Sequence, residues 1–352
     1  MASALVIVLV VLVVPFFILG VLGNIGVLLC VVFTPSLRTR ANAIIVSLTT
    51  SCLAFLVTVV PFTLDSFIHT DWRFAVWYCH ATAYLSFAFI GITVFNIAAL
   101  SLYRYFCVVH PTRMLLRSKA NLILLIAISW LVPLTTQTLI SSFHIARTEY
   151  IPMYARCVFV KVGEHSTLYN ILVLGGFLPT LGLTLYSYAG IYVTVRLSAR
   201  RLRQQAEISS RPNLRVEATE NEGLSAGAGS TNSTQHPVVR NTRRTSKAPR
   251  GPNRDKHCLT KICVVVFVLF MVCYGPIVTL TAIYAHDDFP AAAYMICTVV
   301  YWLGSCLHPL VYAILQPQIR RSFLRLAGCC CKSANFSTNE SSVGATTTGQ
   351  ES

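Results

Sequence analysis

The residue with the clearest chemical role is an arginine at the end of a long apolar stretch. Arg104 lies within Leu102-Tyr103-Arg104-Tyr105, which closes the third of seven such stretches. A guanidinium at the centre of a bilayer costs about 2.5–3.5 kcal/mol on insertion scales, so a membrane helix places it at an edge or in a protein cavity. His308 and the cysteines scattered through the stretches form no catalytic constellation. The pattern indicates a signalling membrane protein and not an enzyme.

The composition places most of the chain inside a membrane. Of the 352 residues, 55% are hydrophobic and 12% are charged, whereas soluble domains carry about 25% charged residues. The formal net charge of +15 raises the question of nucleic-acid binding. Because the basic residues lie in the gaps between apolar stretches and form no single patch, nucleic acid is excluded as a partner.

The seven apolar stretches have the length of transmembrane helices. They cover residues 4–33, 41–66, 77–107, 120–142, 167–197, 258–285 and 291–315. Each reaches the roughly 20 residues that cross about 30 Å of hydrocarbon, and none has the short alternating pattern of a membrane β-barrel. The first lacks the basic start of a signal peptide and is too long for one, so we expect a retained helix. The predicted fold is an all-α membrane protein, a seven-helix bundle in the lipid bilayer.

Basic residues follow every second stretch and predict the orientation. They are Arg38, Arg40, Arg113, Arg117, Lys119, Arg196, Arg200, Arg201, Arg203, Arg320, Arg321 and Arg325. Cytoplasmic loops are enriched in Lys and Arg. We therefore expect the N-terminus outside the cell and the C-terminus in the cytoplasm.

Two polar segments are predicted to be disordered in the cytoplasm. Residues 198–257 form a loop rich in Ser, Thr, Asn, Gly and Arg, and residues 328–352 form a tail; neither has the apolar content of a folded segment. Alternating basic and apolar residues over 318–326 predict a short amphipathic helix that completes a domain of residues 1–327. Cys329-Cys330-Cys331 then predicts palmitoylation, with a metal-binding cysteine cluster as the alternative.

Most of the 13 cysteines lie inside apolar stretches, and two stand out because they lie on the predicted outer side of the bundle. Cys79 opens the third span at its outer end, and Cys157 lies in the second outer loop. Both face an oxidising compartment. A disulfide between them would hold that loop over the mouth of the bundle, and two free thiols are the alternative.

Short motifs in several spans resemble those of class A (rhodopsin-like) G protein-coupled receptors. The matching segments are Gly23-Asn24-Ile25-Gly26-Val27, Trp72, Phe74, Cys79, Tyr103-Arg104-Tyr105, Trp130, Pro179, Cys273-Tyr274-Gly275-Pro276 and His308-Pro309-Leu310-Val311-Tyr312. Their order and spacing match the family along all seven spans. Phe95-Asn96-Ile97 and the segment from Phe267 to Pro276 are similar to melatonin receptors and their invertebrate orphan relatives.

The resemblance implies a plasma-membrane receptor that activates a heterotrimeric G protein through an outward swing of helix six. Arrestin and a receptor kinase are further implied partners, and no cofactor is implied. The implied activation switch comprises Tyr103, Arg104, Tyr105, Tyr274, Pro276, His308, Pro309 and Tyr312. Tyr274 either touches the floor of a ligand pocket or is a packed aromatic. Asn24, Trp130 and Pro179 are expected to be structural, with Asn24 bridging to neighbouring backbone because an unpaired buried amide is costly.

The sequence departs from the family at sites that carry charge. Tyr103 and Lys256 replace the two acidic residues that would restrain Arg104, which predicts elevated basal signalling. Cys52 replaces the aspartate that binds sodium, so with Thr93 and Ser305 nearby no carboxylate remains for a hard cation. We predict no metal site and no allosteric sodium effect. His308 replaces an asparagine and is either a proton sensor or a neutral, hydrogen-bonded core residue.

The expected ligand is small and neutral or lipid-like, and a peptide is the alternative. Ser86 occupies the position where amine receptors have an aspartate, and Gly175 the position of the histidine that melatonin receptors use. An apolar pocket with few polar groups suits a neutral ligand. The predicted pocket residues are Ser86, Phe87, Ile90, Tyr169, Asn170, Tyr274 and Trp302.

Two other functions compete with ligand-controlled signalling. A transporter would show internal repeats or interrupted helices at mid-membrane, and the sequence has no such repeat. A receptor-like protein with constitutive or lost G protein coupling stays open because of the departures at Cys52, Tyr103 and His308.

Overall fold

The computed structural model describes residues 2–112, 118–152, 154–161, 163–210, 252–283 and 291–325. The helices are α1 (Ala2–Phe33), α2 (Arg40–Thr58), α3 (Val60–His69), α4 (Val76–Val108), α5 (Lys119–Ser142), α6 (Ser166–Ser210), α7 (Pro252–Ile283), α8 (Ala291–Leu315) and α9 (317–325). An antiparallel hairpin of β1 (Ala146–Ile151) and β2 (Arg156–Lys161) lies between α5 and α6, and short 3₁₀ turns occur at Pro35–Leu37 and Gly163–His165.

The helices confirm the predicted seven-span bundle, with α2 and α3 together forming the second span. Within the described ranges, six helical segments are long and apolar enough to cross a bilayer, and α7 adds a shorter apolar stretch, Val264–Leu280. Helix α4 is central and contacts α2, α5, α6 and α7. Large apolar side chains such as Val11, Leu131 and Ile171 are more than half exposed. Exposed apolar surface of this extent is typical of a face that meets lipid.

Three boundaries differ from the sequence predictions, and prolines account for two of them. The second span is interrupted at Val59, because Pro61 has no N–H to donate to the preceding turn. Helix α7 begins at Pro252, and proline is well suited to the first turn of a helix. Helix α6 continues to Ser210. The loop predicted to be disordered over 198–257 is therefore helical at both ends, and its residues 211–251 lie outside the described part.

The predicted amphipathic segment is helical, and as α9 it packs on the end of the bundle opposite the hairpin. Asn42 donates to the carbonyl of Leu37 at 2.7 Å and accepts from Gln316 at 3.2 Å. Ser322 of α9 lies 3.2 Å from the hydroxyl of Thr34. These bonds join the first inner turn to the start of α9. The tail 328–352 and Cys329-Cys330-Cys331 lie outside the described residues.

Helix α1 packs on α8 through small residues. A Cβ atom added to Gly20 would lie 2.8 Å from Sγ of Cys306, and one added to Gly23 would lie 2.9 Å from Cγ of Pro309. Glycine at these positions lets the backbones approach closely. Asn24 donates to the carbonyls of Gly20 and Ser305, at 2.8 and 3.3 Å. The expected bridge from Asn24 to a neighbouring helix is therefore present.

The outer hairpin covers the mouth of the bundle. The predicted disulfide between Cys79 and Cys157 is confirmed, and it ties β2 to the start of α4. Tyr154 at the hairpin turn is buried and stacks on Tyr294 of α8, with 4.0 Å between the ring centroids. The hairpin thus connects two sides of the bundle above its centre.

Candidate functional site

Arg104 lies near the inner end of α4 and is only 9% exposed. Its Cζ is 5.9 Å from the centroid of the Tyr103 ring, and its Nε has no hydrogen-bond partner. Among the described residues Arg104 makes no ion pair. The salt bridges in that part of the chain join Asp65 to His69 and Arg73, on the outer side of the bundle. The side chain of Lys256 lies outside the description. The guanidinium is thus shielded from water, and no described carboxylate restrains it.

The neighbouring Tyr105 contacts α6. Its hydroxyl is 3.3 Å from that of Tyr186 and 3.4 Å from Nε2 of His110. A Cβ atom added to Gly190 of α6 would lie 2.6 Å from the Tyr105 ring. A side chain at position 190 would therefore displace the ring, so this glycine permits the close approach of α4 and α6.

Tyr274 links α7 to α8 in the middle of the bundle. Its hydroxyl lies 2.9 Å from Oγ of Ser305, and its ring stacks on Phe270 and meets the edge of Tyr301. Tyr274 is 1% exposed, so in this structure it is a packed aromatic. Pro276 follows two residues later inside α7 and removes a backbone donor from the helix interior.

The polar residues of α8 are buried deeply. His308 is fully buried, and neither ring nitrogen has a hydrogen-bond partner among the described residues. The expectation that a neutral His308 would be hydrogen-bonded is therefore wrong for this structure. A charged imidazole without a partner would be very costly in such a site. Pro309 contacts Gly23 of α1, and Tyr312 is fully buried one turn beyond His308.

The position where relatives are expected to bind sodium holds a thiol and two hydroxyl groups. Cys52, Thr93 and Ser305 are all buried, and the Cys52 thiol is within hydrogen-bonding reach of Ser305. In the part of the chain that the structure describes, no group of three or more His, Cys, Asp or Glu side chains could hold a metal ion. The remaining hydroxyls and thiol are poor ligands for a hard cation.

The structure does not bring all the predicted pocket residues together. Phe87 and Ile90 line a cavity of about 70 Å³ between α4, α5 and α6, beside Gln137, Val173 and Gly176. The lining is largely apolar. Gln137 is 6% exposed, and its Oε1 has no hydrogen-bond partner in the described residues. The cavity therefore offers a neutral polar group within an apolar wall.

The other predicted pocket residues have structural contacts instead. The hydroxyl of Ser86 donates to the carbonyl of Thr82 at 2.6 Å. Trp302 packs on Phe67 of α3, with 5.3 Å between ring centroids. Tyr169 is buried in a cluster with Phe159 and Cys157 beneath the hairpin. These three residues, like Tyr274, do not line the cavity; nor does Asn170, which is half-buried.

Two buried polar residues were missed by reasoning from the sequence. Gln137 is the amide in the interior of the fourth span, since Asn121 lies at the start of that span, and its position among apolar residues could have identified it. Arg156 is 5% exposed and donates from Nη1 to Oγ1 of Thr298 at 3.2 Å. Because Arg156 is next to Cys157, the sequence indicates that it lies near the bundle mouth. The sequence does not indicate that it is buried.

Trp130 has a structural contact at the edge of this region. Its indole N–H donates to Oγ of Ser47 at 2.9 Å and joins α5 to α2. Pro179 lies inside the continuous helix α6. The contact of Trp130 agrees with the structural role expected for it, and the role of Pro179 stays a prediction.

Comparison with known proteins agrees with this geometry. Residues 23–312 match the family described as 7 transmembrane receptor (rhodopsin family). The chain belongs to the rhodopsin family of seven-transmembrane receptors. It is thus a G protein-coupled receptor and a multi-pass membrane protein, and the family match favours this reading over a transporter.

The related receptors have names that state different ligands or none. The receptor is 28% identical to the allatostatin-A receptor of Bombyx mori, over 89% of this chain and 77% of that protein. It is 24% identical to G-protein coupled receptor 84 of Homo sapiens, over 86% and 88% of the two chains. Identity to melatonin receptor type 1C of Gallus gallus is 25%, over 88% and 78%. Melatonin receptors are therefore among its relatives, together with receptors of other names.

A solved structure supports the fold alone. The crystal structure of squid rhodopsin aligns with a TM-score of 0.70 at 18% identity, covering 92% of this receptor and 80% of that chain. The helix bundle therefore has the fold of squid rhodopsin.

Proposed function

We propose that the receptor transmits the binding of a small, largely apolar ligand within the bundle to a heterotrimeric G protein that engages Arg104. The observation that carries the proposal is the burial of Arg104 at the inner end of α4 without an ion pair among the described residues. In this family the arginine exchanges an internal partner for the inserted segment of the G protein. Weak internal restraint favours the exchanged state and predicts elevated basal activity.

The test of the output site needs no ligand. G protein activation is measured without agonist in cells that express the wild type, Arg104→Ala or an empty vector, at matched surface expression. We expect wild-type activity above the empty vector and loss of that activity in Arg104→Ala. Arg196→Ala, which removes an exposed arginine stacked on Tyr192 of α6, serves as the matched control. Wild-type activity equal to the vector would contradict elevated basal signalling.

The cavity between α4, α5 and α6 is the proposed ligand site. Its apolar lining favours a neutral or lipid-like ligand, and Gln137 supplies one polar contact. Gln137→Leu preserves the approximate size of the side chain and removes its polar group. We expect the variant to lower the potency of an agonist found by ligand screening, while Thr135→Val, on an exposed part of the same helix, leaves it unchanged.

A receptor-shaped protein without coupling is the second candidate, and the replacements at Tyr103, Cys52 and His308 favour it. The two candidates differ in a single measurement. If neither screening ligands nor elevated expression gives a signal that Arg104→Ala abolishes, the protein does not couple. A signal that depends on Arg104 excludes this candidate.

The location, the lipid modification and the remaining partners are inferred from the family and the sequence. We propose a plasma-membrane location with the N-terminus outside and acylation at Cys329-Cys330-Cys331. We also propose that arrestin binds after phosphorylation by a receptor kinase. Epitope tags on the two ends test the orientation, because only one of them should be accessible to antibody in intact cells. Metabolic labelling with a palmitate analogue tests the acylation, with all three cysteines changed to serine as the control.

A further inference from the structure

Arg156 is a buried cation in the outer hairpin and plays no part in the proposed output site. It opens β2, directly before the disulfide-bonded Cys157, and it is 5% exposed. Its guanidinium points to α8, where Nη1 donates to Oγ1 of Thr298 at 3.2 Å and Cζ lies 5.9 Å from the centroid of the Tyr294 ring. The cation is therefore held between the hairpin and α8, at the mouth of the bundle.

The contacts of Arg156 do not neutralise its charge. Burial removes the water that would solvate the guanidinium, and only one neutral hydroxyl and one aromatic ring among the described residues compensate for that loss. Its Nε has no hydrogen-bond partner. No described carboxylate forms an ion pair with it. By contrast, Arg73 in the first outer loop is half exposed and pairs with Asp65 at 2.6 Å. Buried arginines are normally paired, and the described residues do not supply the anion that a buried Arg156 requires.

We propose that Arg156 binds the carboxylate of a small acidic ligand with an apolar body. A planar guanidinium holds a carboxylate through two parallel hydrogen bonds, and the unpartnered Nε is one of the donors available for them. Tyr154 and Tyr294 are buried beside the cation and would cover an apolar group. Because the hairpin leaves only 5% of Arg156 exposed, a small molecule fits this site better than a peptide does. The inference rests on the proposed receptor function. It places an acidic ligand at the mouth of the bundle, at a site distinct from the cavity between α4, α5 and α6, which Arg156 does not line.

The first arm of the test uses the purified full-length receptor without ligand. An uncompensated buried cation should be replaceable by an apolar side chain of similar length. We expect the unfolding temperature of Arg156→Met to equal or exceed that of the wild type. The matched control is Arg147→Met, which removes an exposed arginine from the other strand of the same hairpin. A fall in unfolding temperature with Arg156→Met, absent from the control, would show a structural role and overturn the proposal.

The second arm measures binding to the same purified proteins by the shift in unfolding temperature. The probes are straight-chain, phenyl-substituted and indolyl-substituted carboxylates, each paired with its methyl ester. We expect at least one acid, and not its ester, to stabilise the wild type and Arg147→Met. Arg156→Met should weaken its binding by about 30-fold or more, as for the loss of one partner of a buried charge pair. No stabilising acid, equal effects of acid and ester, or unchanged binding in Arg156→Met would each overturn the proposal.

A third variant examines an internal source of the anion. Asp287 and Asp288 lie in the segment 284–290, outside the described residues. Changing both to asparagine should leave stability and carboxylate binding unaltered. Destabilisation by this double change in the wild type, but not in Arg156→Met, would identify an internal partner and overturn the proposal. Because no arm requires a G protein, acid binding without signalling would reject the coupling function alone, and signalling without acid binding would reject this inference alone.

Discussion

The phenol of Tyr274 lies 2.9 Å from the hydroxyl of Ser305 and joins α7 to α8 in the buried centre of the receptor. Pro276 lies two residues further along α7, where it interrupts the hydrogen bonding of the helix interior. The tyrosine therefore holds the helix next to the point at which it can bend. An outward swing of the inner end of α7 requires this contact to break or to move with the helix.

Loss of the Tyr274 hydroxyl should raise basal signalling. Tyr274→Phe keeps the ring contacts and removes a hydrogen bond worth about 1 kcal/mol, which corresponds to roughly a fivefold change in a two-state equilibrium. The measurement is agonist-free G protein activation at matched surface expression. Tyr301→Phe is the control, because its hydroxyl donates to the carbonyl of Ser86 in α4 and not to α7. Equal effects of the two changes would show that the contact with Ser305 has no special role.

Sodium should have no specific effect on the receptor. Cys52 is buried beside Ser305 where a carboxylate would be needed to bind the ion. The unfolding temperature of the purified protein should be the same in sodium chloride and in N-methylglucamine chloride at equal ionic strength. Cys52→Asp supplies the missing carboxylate and should make stability depend on sodium. Stabilisation of the wild type by sodium alone would refute the prediction.

The parts of the fold that depend on sequence length and periodicity were predictable. Apolar length determines where a chain can cross a bilayer, and each predicted span overlaps one helix or, for the second span, the pair α2 and α3. The bridge from Asn24 also follows from local chemistry, since a buried amide must find a nearby acceptor. Both inferences need only the composition of one segment and the solvent around it.

The candidate site was less predictable because it depends on which surfaces meet. Trp302 was expected in a ligand pocket, but the helix directs it to Phe67 of α3. In a strand, successive side chains point to opposite faces, so Arg156 beside the buried Cys157 would be expected at the surface. Both are buried, at 5% and 3% exposure, because both faces of β2 are covered in the folded receptor, whereas Arg147 and Glu149 of β1 stay exposed. Such coverage is a property of the assembled fold.

Loss of the disulfide should destabilise the outer half of the receptor. Cys79 and Cys157 are 78 residues apart in sequence and connect α4 to the hairpin. Removal of a native disulfide costs about 2–5 kcal/mol in small secreted domains. Cys79→Ser and Cys157→Ser should each lower surface expression and unfolding temperature, and the double variant should resemble the single ones. Cys297→Ser is the control, since Cys297 is a partly buried free thiol. Equal losses with that control would argue against a specific contribution of the bridge.

Packing of α1 on α8 should tolerate no side chain at Gly23. A Cβ atom there would lie 2.9 Å from Cγ of Pro309, and the rigid proline ring leaves little room for adjustment. Forcing a methyl group into a packed interface costs about 1–3 kcal/mol, so Gly23→Ala should lower the unfolding temperature. The control is Gly175→Ala, because nothing lies within 4 Å of the added atom. Alanine is favoured over glycine in a helix interior by up to about 1 kcal/mol, so this control should be neutral or stabilising. If the two variants unfolded at the same temperature, close approach at Gly23 would not be what holds α1 against α8.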